Sequence, residues 1–234
     1  MKYAFLCSIF CLLIMPGYLQ AQEFSVVGGA NVSNMSTKVD GSNLASEYGF
    51  QPRVGGHLGG LIDLKFGKVF SIEPGLIFIT KGFKFDHTFQ LDNGKKYDYS
   101  YKFRPFYLDI PVIAKVNWNP KERFRVYGGL GPVFSIGLFG NKKTAFSSNE
   151  TTLAEVEALY PGRIEDDGKI RFGDEIKRHD VGVMFTAGIN VAMVRIGAFY
   201  TQGLTNVTYD HSTARNRVVG VHVGYTFAFR NEVE

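Results

Sequence analysis

Two cysteines, Cys7 and Cys11, are the only ones in the 234 residues, and both lie within the first eleven. Everything after them is barred from forming a disulfide, a cysteine–metal site or a thiol nucleophile. Charge of one sign is also scarce: 26 Lys and Arg against 22 Asp and Glu leave +4, too little to argue for a nucleic-acid partner. A hydrophobic share of 45% excludes a disordered chain, and a collagen-like composition is absent. No GxSxG elbow, HExxH pair or phosphate loop occurs. The five histidines are His57, His87, His179, His211 and His222, none spaced i, i+4, so a metal site would need assembly across strands. Ser and His residues near the outer rim, such as Ser212 beside His211, could serve a lipid hydrolase, and loops commonly carry such residues. No enzymatic activity, cofactor or metal is expected.

Long apolar runs are lacking too. One exists, Tyr3 to Met15, broken only by Ser8 and preceded by Lys2. Pro16-Gly17 ends it, and Leu19-Gln20-Ala21 offers a small residue for cleavage. The run is too short to cross about 30 Å of hydrocarbon, so residues 1–21 read as a secretory signal peptide. Residues 22–234 then form one domain.

What replaces long runs is alternation with period two. In Val181 to Val191 the odd positions are Val, Val, Phe, Ala, Ile and Val, and the even ones are Gly, Met, Thr, Gly and Asn. Val219 to Phe229 repeats the scheme. Eight such segments are predicted: Phe24–Asn34, Arg53–Phe66, Val69–Phe83, Phe103–Val116, Phe124–Leu138, His179–Val191, Val194–Gly203 and Arg217–Phe229. Most exceed the usual soluble strand and suit tilted strands that cross a bilayer.

Their connections alternate in length. Met35–Pro52, Lys84–Lys102, Phe139–Arg178 and Leu204–Asn216 are long and polar; Gly67-Lys68, Asn117–Arg123 and Ala192-Met193 are short. Short turns on one rim and long loops on the other mark an outer-membrane barrel, with both ends of the chain on the short-turn, periplasmic rim. A two-residue turn at Ala192-Met193 would set Asn190 against Arg195, Ile189 against Ile196, Ala187 against Ala198 and Phe185 against Tyr200. The expected fold is thus all-β, an eight-stranded antiparallel up-and-down transmembrane barrel in the cell outer membrane.

Orientation follows from what each face could tolerate. A soluble barrel needs a charged exterior. The face opposite the apolar stripe is mostly Gly, Ser, Thr and Asn, which suits a narrow interior. The apolar stripe, including Leu58, Ile62, Leu64, Leu108, Ile110, Val112, Leu130, Phe134 and Ile136, is therefore expected to meet lipid. The same parity sends Asp63, Glu73, Lys81, Asp109, Lys115 and Arg195 inward, with His57 and His222. Opposite charges packed in so narrow a lumen are expected to pair as a structural plug, in preference to a gate, a proton path or a solute site.

Several motifs carry a resemblance. Gly28-Gly29-Ala30-Asn31-Val32-Ser33-Asn34, Ile72-Glu73-Pro74-Gly75-Leu76 with Thr80-Lys81-Gly82, and Tyr107-Leu108-Asp109-Ile110-Pro111-Val112-Ile113-Ala114-Lys115 follow in order. Tyr200-Thr201-Gln202-Gly203-Leu204-Thr205-Asn206-Val207 and Val223-Gly224-Tyr225-Thr226-Phe227 complete the set. Together they resemble the PorT-like outer-membrane β-barrel family of gram-negative bacteria across nearly all of residues 22–234. The resemblance implies a porin-like barrel, some members of which serve protein secretion. One departure is that Phe229 is followed by Arg230-Asn231-Glu232-Val233-Glu234, where outer-membrane strands commonly end on an aromatic.

The most distinctive connection is Phe139–Arg178. Thr152-Leu153-Ala154-Glu155 fits a capping box, and Leu153, Val156, Leu159 and Tyr160 recur at helical spacing up to Pro161-Gly162. A short helix over the barrel mouth, or one that docks a partner, is one reading, and a solvated loop with a nascent helix is the equal alternative. Glu165-Asp166-Asp167-Gly168 is acidic but lacks calcium-loop spacing. The work expected of the protein is structural or interactive, in contact with outer-membrane lipid and with envelope or secretion-complex proteins through loop 139–178. The alternatives are a narrow pore for small solutes, a lipid-modifying enzyme and a soluble ligand-binding barrel.

Overall fold

The computed structural model describes residues 23–39, 42–43, 50–121, 123–159, 167–209 and 213–228. The expected signal peptide and the tail after Phe229 lie outside them. In chain order the elements are β1 (Glu23–Val39), β2 (Ser42–Asn43), β3 (Phe50–Phe66), β4 (Phe70–Thr80), β5 (Phe83–Gln90) and β6 (Lys96–Lys121). There follow β7 (Phe124–Ser147), α1 (Leu153–Leu159), β8 (Gly168–Lys169), β9 (His179–Val191), β10 (Val194–Gly203) and β11 (Thr213–Ala228).

Eight long strands among the described residues close into an antiparallel ring in the order β1, β3, β4, β6, β7, β9, β10, β11. β11 returns to β1 in continuous register from Glu23↔Ala228 to Lys38↔Thr213, so no edge is left open. The expected pairing across the last short turn is present: Asn190↔Arg195, Ile189↔Ile196, Ala187↔Ala198 and Phe185↔Tyr200.

The exterior is apolar. Leu58 is 61% exposed and Val221 60%, and Ile62, Val112, Leu130, Phe134, Phe185, Val219, Val223 and Phe227 are likewise open. So continuous a belt would not stay monomeric in water, whereas hydrocarbon covers it at no cost to the backbone, every strand being paired. Trp118, the single tryptophan, stands outward beside the β6–β7 turn, 67% exposed.

Two expectations need correction. The face turned inward is not only small and polar. Val27, Leu61, Ile77, Ile79, Ile113, Val133, Met184, Phe199 and Val218 form an apolar layer inside the ring with Tyr107. Tilted strands bring one or two large residues from each to a shared level, and eight strands leave room for side chains alone. The connection expected as a polar loop over Lys84–Lys102 is instead a hairpin of β5 and the start of β6. Its aromatics pair across the strands, Phe83 with Phe103 at 5.5 Å and Phe89 with Tyr97 at 5.5 Å between ring centroids. Such cross-strand pairs support pairing beyond the membrane. β5 continues the course of β4 past a break at Lys81-Gly82. Gly82 has φ +125°, and a Cβ there would stand 2.0 Å from the Phe103 carbonyl oxygen.

The helix forms where its capping box predicts. The Thr152 amide donates to Glu155 Oε2 at 3.3 Å and the Glu155 amide donates to Thr152 Oγ1 at 3.3 Å. Hydrogen bonds from the Thr151 hydroxyl and the Thr152 amide, with Lys95 nearby, hold the Glu155 carboxyl below its ordinary range. Its position differs from expectation. Val156 is fully buried against Leu91 and Tyr97 at the tip of the β5–β6 hairpin. The mouth is filled instead by Ile170 and Ile176, which join Met35, Phe103, Val207 and Ala214. A two-turn helix presents one apolar ridge, and the hairpin's aromatic face covers it first.

The β9–β10 turn holds Ala192 at φ 51°, a left-handed conformation that a Cβ disfavours. Ala192→Gly is expected to raise stability by about 0.5–1 kcal/mol after glycine's own entropic cost, checked by urea unfolding in detergent micelles.

Candidate functional site

Alternation places on one interior level Asp63 from β3, Glu73 from β4, Lys115 from β6 and Arg195 from β10, each no more than 2% exposed. Glu73 lies at the centre. Its Oε2 accepts from Lys115 Nζ at 2.6 Å and from Arg195 Nη1 at 2.5 Å, and its Oε1 accepts from Arg195 Nη2 at 2.9 Å. Lys115 also donates to Asp63 Oδ2 at 2.8 Å. Two carboxylates and two cations balance, and the chain of contacts crosses the bore from β3 to β10.

Tyr127 of β7 stands beneath both cations. Arg195 Nε donates to its hydroxyl at 3.0 Å, the guanidinium lies 4.4 Å from the ring centroid, and Lys115 Nζ lies 4.8 Å from it. The hydroxyl is 3.4 Å from His222 Nε2, which ties His222 to the cluster. Glycine makes room for this. A Cβ at Gly197 would stand 2.3 Å from the Tyr127 hydroxyl and 2.6 Å from His222 Nε2. His57 packs edge-on to Phe199, 5.0 Å between ring centroids.

Lys81 and Asp109 form a separate pair further toward the long-loop rim. Lys81 Nζ lies 2.9 Å from Asp109 Oδ1, donates to Ser135 Oγ at 2.9 Å and sits 4.7 Å from the Tyr107 ring centroid. Among the described residues no ion pair joins the two groups. Of the residues singled out by sequence, Asp63, Glu73, Lys115, Arg195 and His222 come together, and Lys81 and Asp109 stand apart.

Sequence reasoning missed three partners. Tyr127 has the inward parity of Ser135 and was open to discovery on that ground. Asp180, which accepts from Thr205 Oγ1 at 2.6 Å and Asn216 Nδ2 at 2.8 Å, lies one residue before the alternation becomes visible. Glu23, at the very start of β1, accepts from Arg125 Nη2 at 2.5 Å and also pairs with Lys65. His211 and Ser212 lie outside the described residues.

Above and below the charged level the bore differs. Toward the long loops the apolar layer and the Ile170–Ile176 segment fill it; Phe172 reaches down to 5.6 Å from the Tyr107 ring centroid. At the short-turn rim a cavity of about 1050 Å³ is lined by Glu23, Lys65, Arg125, Asn190 and the turn residues Ala192 and Met193. The arrangement offers a cup at one end and closely packed side chains at the other.

Residues 20–209 match the model of a family described as an outer membrane protein beta-barrel domain. Among solved structures, the chain is similar to the outer membrane protein OprG from Pseudomonas aeruginosa (16% identity, 89% of this chain and 97% of that one, TM-score 0.42). It is also similar to Ail, the attachment invasion locus protein of Yersinia pestis (16% identity, 89% and 100%, TM-score 0.35). A third is the N-terminal β-barrel domain of Pseudomonas aeruginosa OprF (12% identity, 89% and 100%, TM-score 0.33). No curated protein matches the sequence.

Removing one member of a buried ion cluster strands the others. Glu73→Ala leaves Arg195 and Lys115 facing each other, and a loss of about 3–5 kcal/mol is expected, read as a lower unfolding midpoint in detergent. Arg195→Ala, which leaves Glu73 its Lys115 contact, is expected to cost less.

Proposed function

For a chain that belongs to the outer membrane protein beta-barrel domain family and resides in the outer membrane, we propose a sealed barrel. It acts as an envelope scaffold, with no catalytic role, and presents its long loops to other envelope proteins. One observation carries this reading: Glu73 is held from two sides by Arg195 and Lys115, so that a neutral salt-bridge cluster spans the bore. Ion passage would require those contacts to part inside a space that eight strands leave no wider than side chains. The packing beyond it is a second barrier, where apolar side chains close the bore and the Lys81–Asp109 pair is already matched.

The reading extends to membership of the PorT-like branch and to a cleaved signal at residues 1–21. The ordered motifs from Gly28 to Phe227 and the Lys2–Ala21 pattern support these. Partner contact is assigned to loop 139–178. Its described part offers α1, whose Leu153 and Leu159 remain 45% and 58% exposed while Val156 is buried. Two apolar side chains standing free on a short helix suit a protein surface better than water.

Planar-bilayer recording tests the proposal. The intact protein is expected to give no stepwise conductance in 1 M KCl. Steady unitary steps, altered in size by Glu73→Gln, would establish the rival reading of a narrow solute pore.

A further inference from the structure

The outer surface of β5, β6 and β7 changes character over three successive rungs. Lowest is Phe106 paired with Phe139, their rings stacked with centroids 4.7 Å apart. Next come Arg104, Asn141 and Lys169 side by side on β6, β7 and β8. Above them stand Lys84, Lys102 and Lys143, in register on β5, β6 and β7. Strand parity turns all of them outward, continuing the face that carries Leu108, Ile110 and Val112 below.

Like charges placed directly opposite across strands repel, and here three lysines sit in one row. Acidic relief is partial. Asp86 pairs with Lys84, and Glu175 is taken by Lys142 and Arg171. Lys102, Arg104, Lys143 and Lys169 enter no ion pair among the described residues. The guanidinium of Arg104 lies over the Phe106 ring, 5.1 Å from its centroid, which holds it at the level of the aromatic rung. Beside the row, a cleft of about 570 Å³ is lined by Leu138 and Phe139 on its apolar side and by Lys169, Arg171 and Arg178, with one carboxylate, Asp174, on its polar side.

We propose that this patch binds the phosphate-bearing headgroup of an outer-leaflet lipid, with Lys102, Arg104, Lys143 and Lys169 as its cationic contacts. The occupant is a lipid because the cations lie one rung (Arg104, Lys169) and two rungs (Lys102, Lys143) above aromatic and aliphatic side chains that face hydrocarbon. An anion that reached them would carry its acyl chains along Phe106, Phe139 and Leu138. Phosphate oxygens accept charge-assisted hydrogen bonds from lysine and arginine together, so one headgroup relieves several repulsions at once. The site is independent of whether the bore conducts.

Native mass spectrometry and titration in non-ionic detergent test it, with diphosphoryl lipid A, the same lipid stripped of phosphate, and inorganic pyrophosphate as probes. The unmodified barrel is expected to retain diphosphoryl lipid A, and Lys102→Gln/Arg104→Gln/Lys143→Gln to weaken it by about tenfold or more. Lys68→Gln, a cation at the opposite rim, is expected to change nothing. The heat-dependent shift in gel mobility reports folding of each variant. Should the triple variant not fold, Lys143→Gln and Lys102→Gln singly are each expected to lose about threefold. Equal retention of the phosphate-free lipid, an affinity indifferent to these substitutions, or pyrophosphate binding as tightly as the lipid would each overturn the proposal.

Discussion

Every structural feature of this barrel answers to one constraint: hydrocarbon offers a peptide group nothing to hydrogen-bond. Closure of β11 onto β1 meets it for the whole ring. With no edge to protect, the exterior can be Leu, Val, Ile and Phe without alternation into charge. The polar and ionic side chains then have only the bore to occupy. A narrow bore makes them pay unless they are matched, and the balanced cluster around Glu73 is the result.

The interior follows a vertical order that the ring size imposes. Eight strands enclose a space that a few large side chains fill, and neighbouring glycines determine which ones fit. Tyr127 reaches beneath Arg195 because Gly188 and Gly197 carry no Cβ on the next two strands, β9 and β10. The apolar layer around Tyr107 and Phe199 is the dry counterpart of that cluster, packed as a soluble core would be. Charged and apolar side chains therefore share one bore, the Lys81–Asp109 pair standing beside Tyr107.

Period-two alternation made most of this legible in the sequence. β9 and β10 coincide with the segments read from pattern alone, and their register follows from a two-residue turn. Parity also assigned Asp63, Glu73, Lys115 and Arg195 to a common side. It could not say which of them touch, because strand tilt and inter-strand shear decide what lies at one level. Hence parity turns Lys81 and Asp109 inward with the others, but does not show that they pair with each other apart from Glu73. The β5–β6 hairpin was hidden for another reason: Lys84, Asp86, Thr88, Asp98, Ser100 and Lys102 intervene, and they masked the aromatic alternation of Phe83, Phe85, Tyr99 and Tyr101. The plug at Ile170–Ile176 left no periodic signal, since it is held by apolar packing and by isolated backbone hydrogen bonds such as Ile170 to Gly140 and Gly173 to Ile176, with no long strand of its own.

Trp118 adds a property of a different kind. A lone indole on the outer wall, close to the periplasmic turns and distant from the long loops, gives the molecule an optical marker for a single end. Its emission colour depends on the polarity of the surrounding headgroup zone, with no other tryptophan to blur the signal. During insertion it times the arrival of the turn-bearing end at the interface, separately from docking of the loops on the far side.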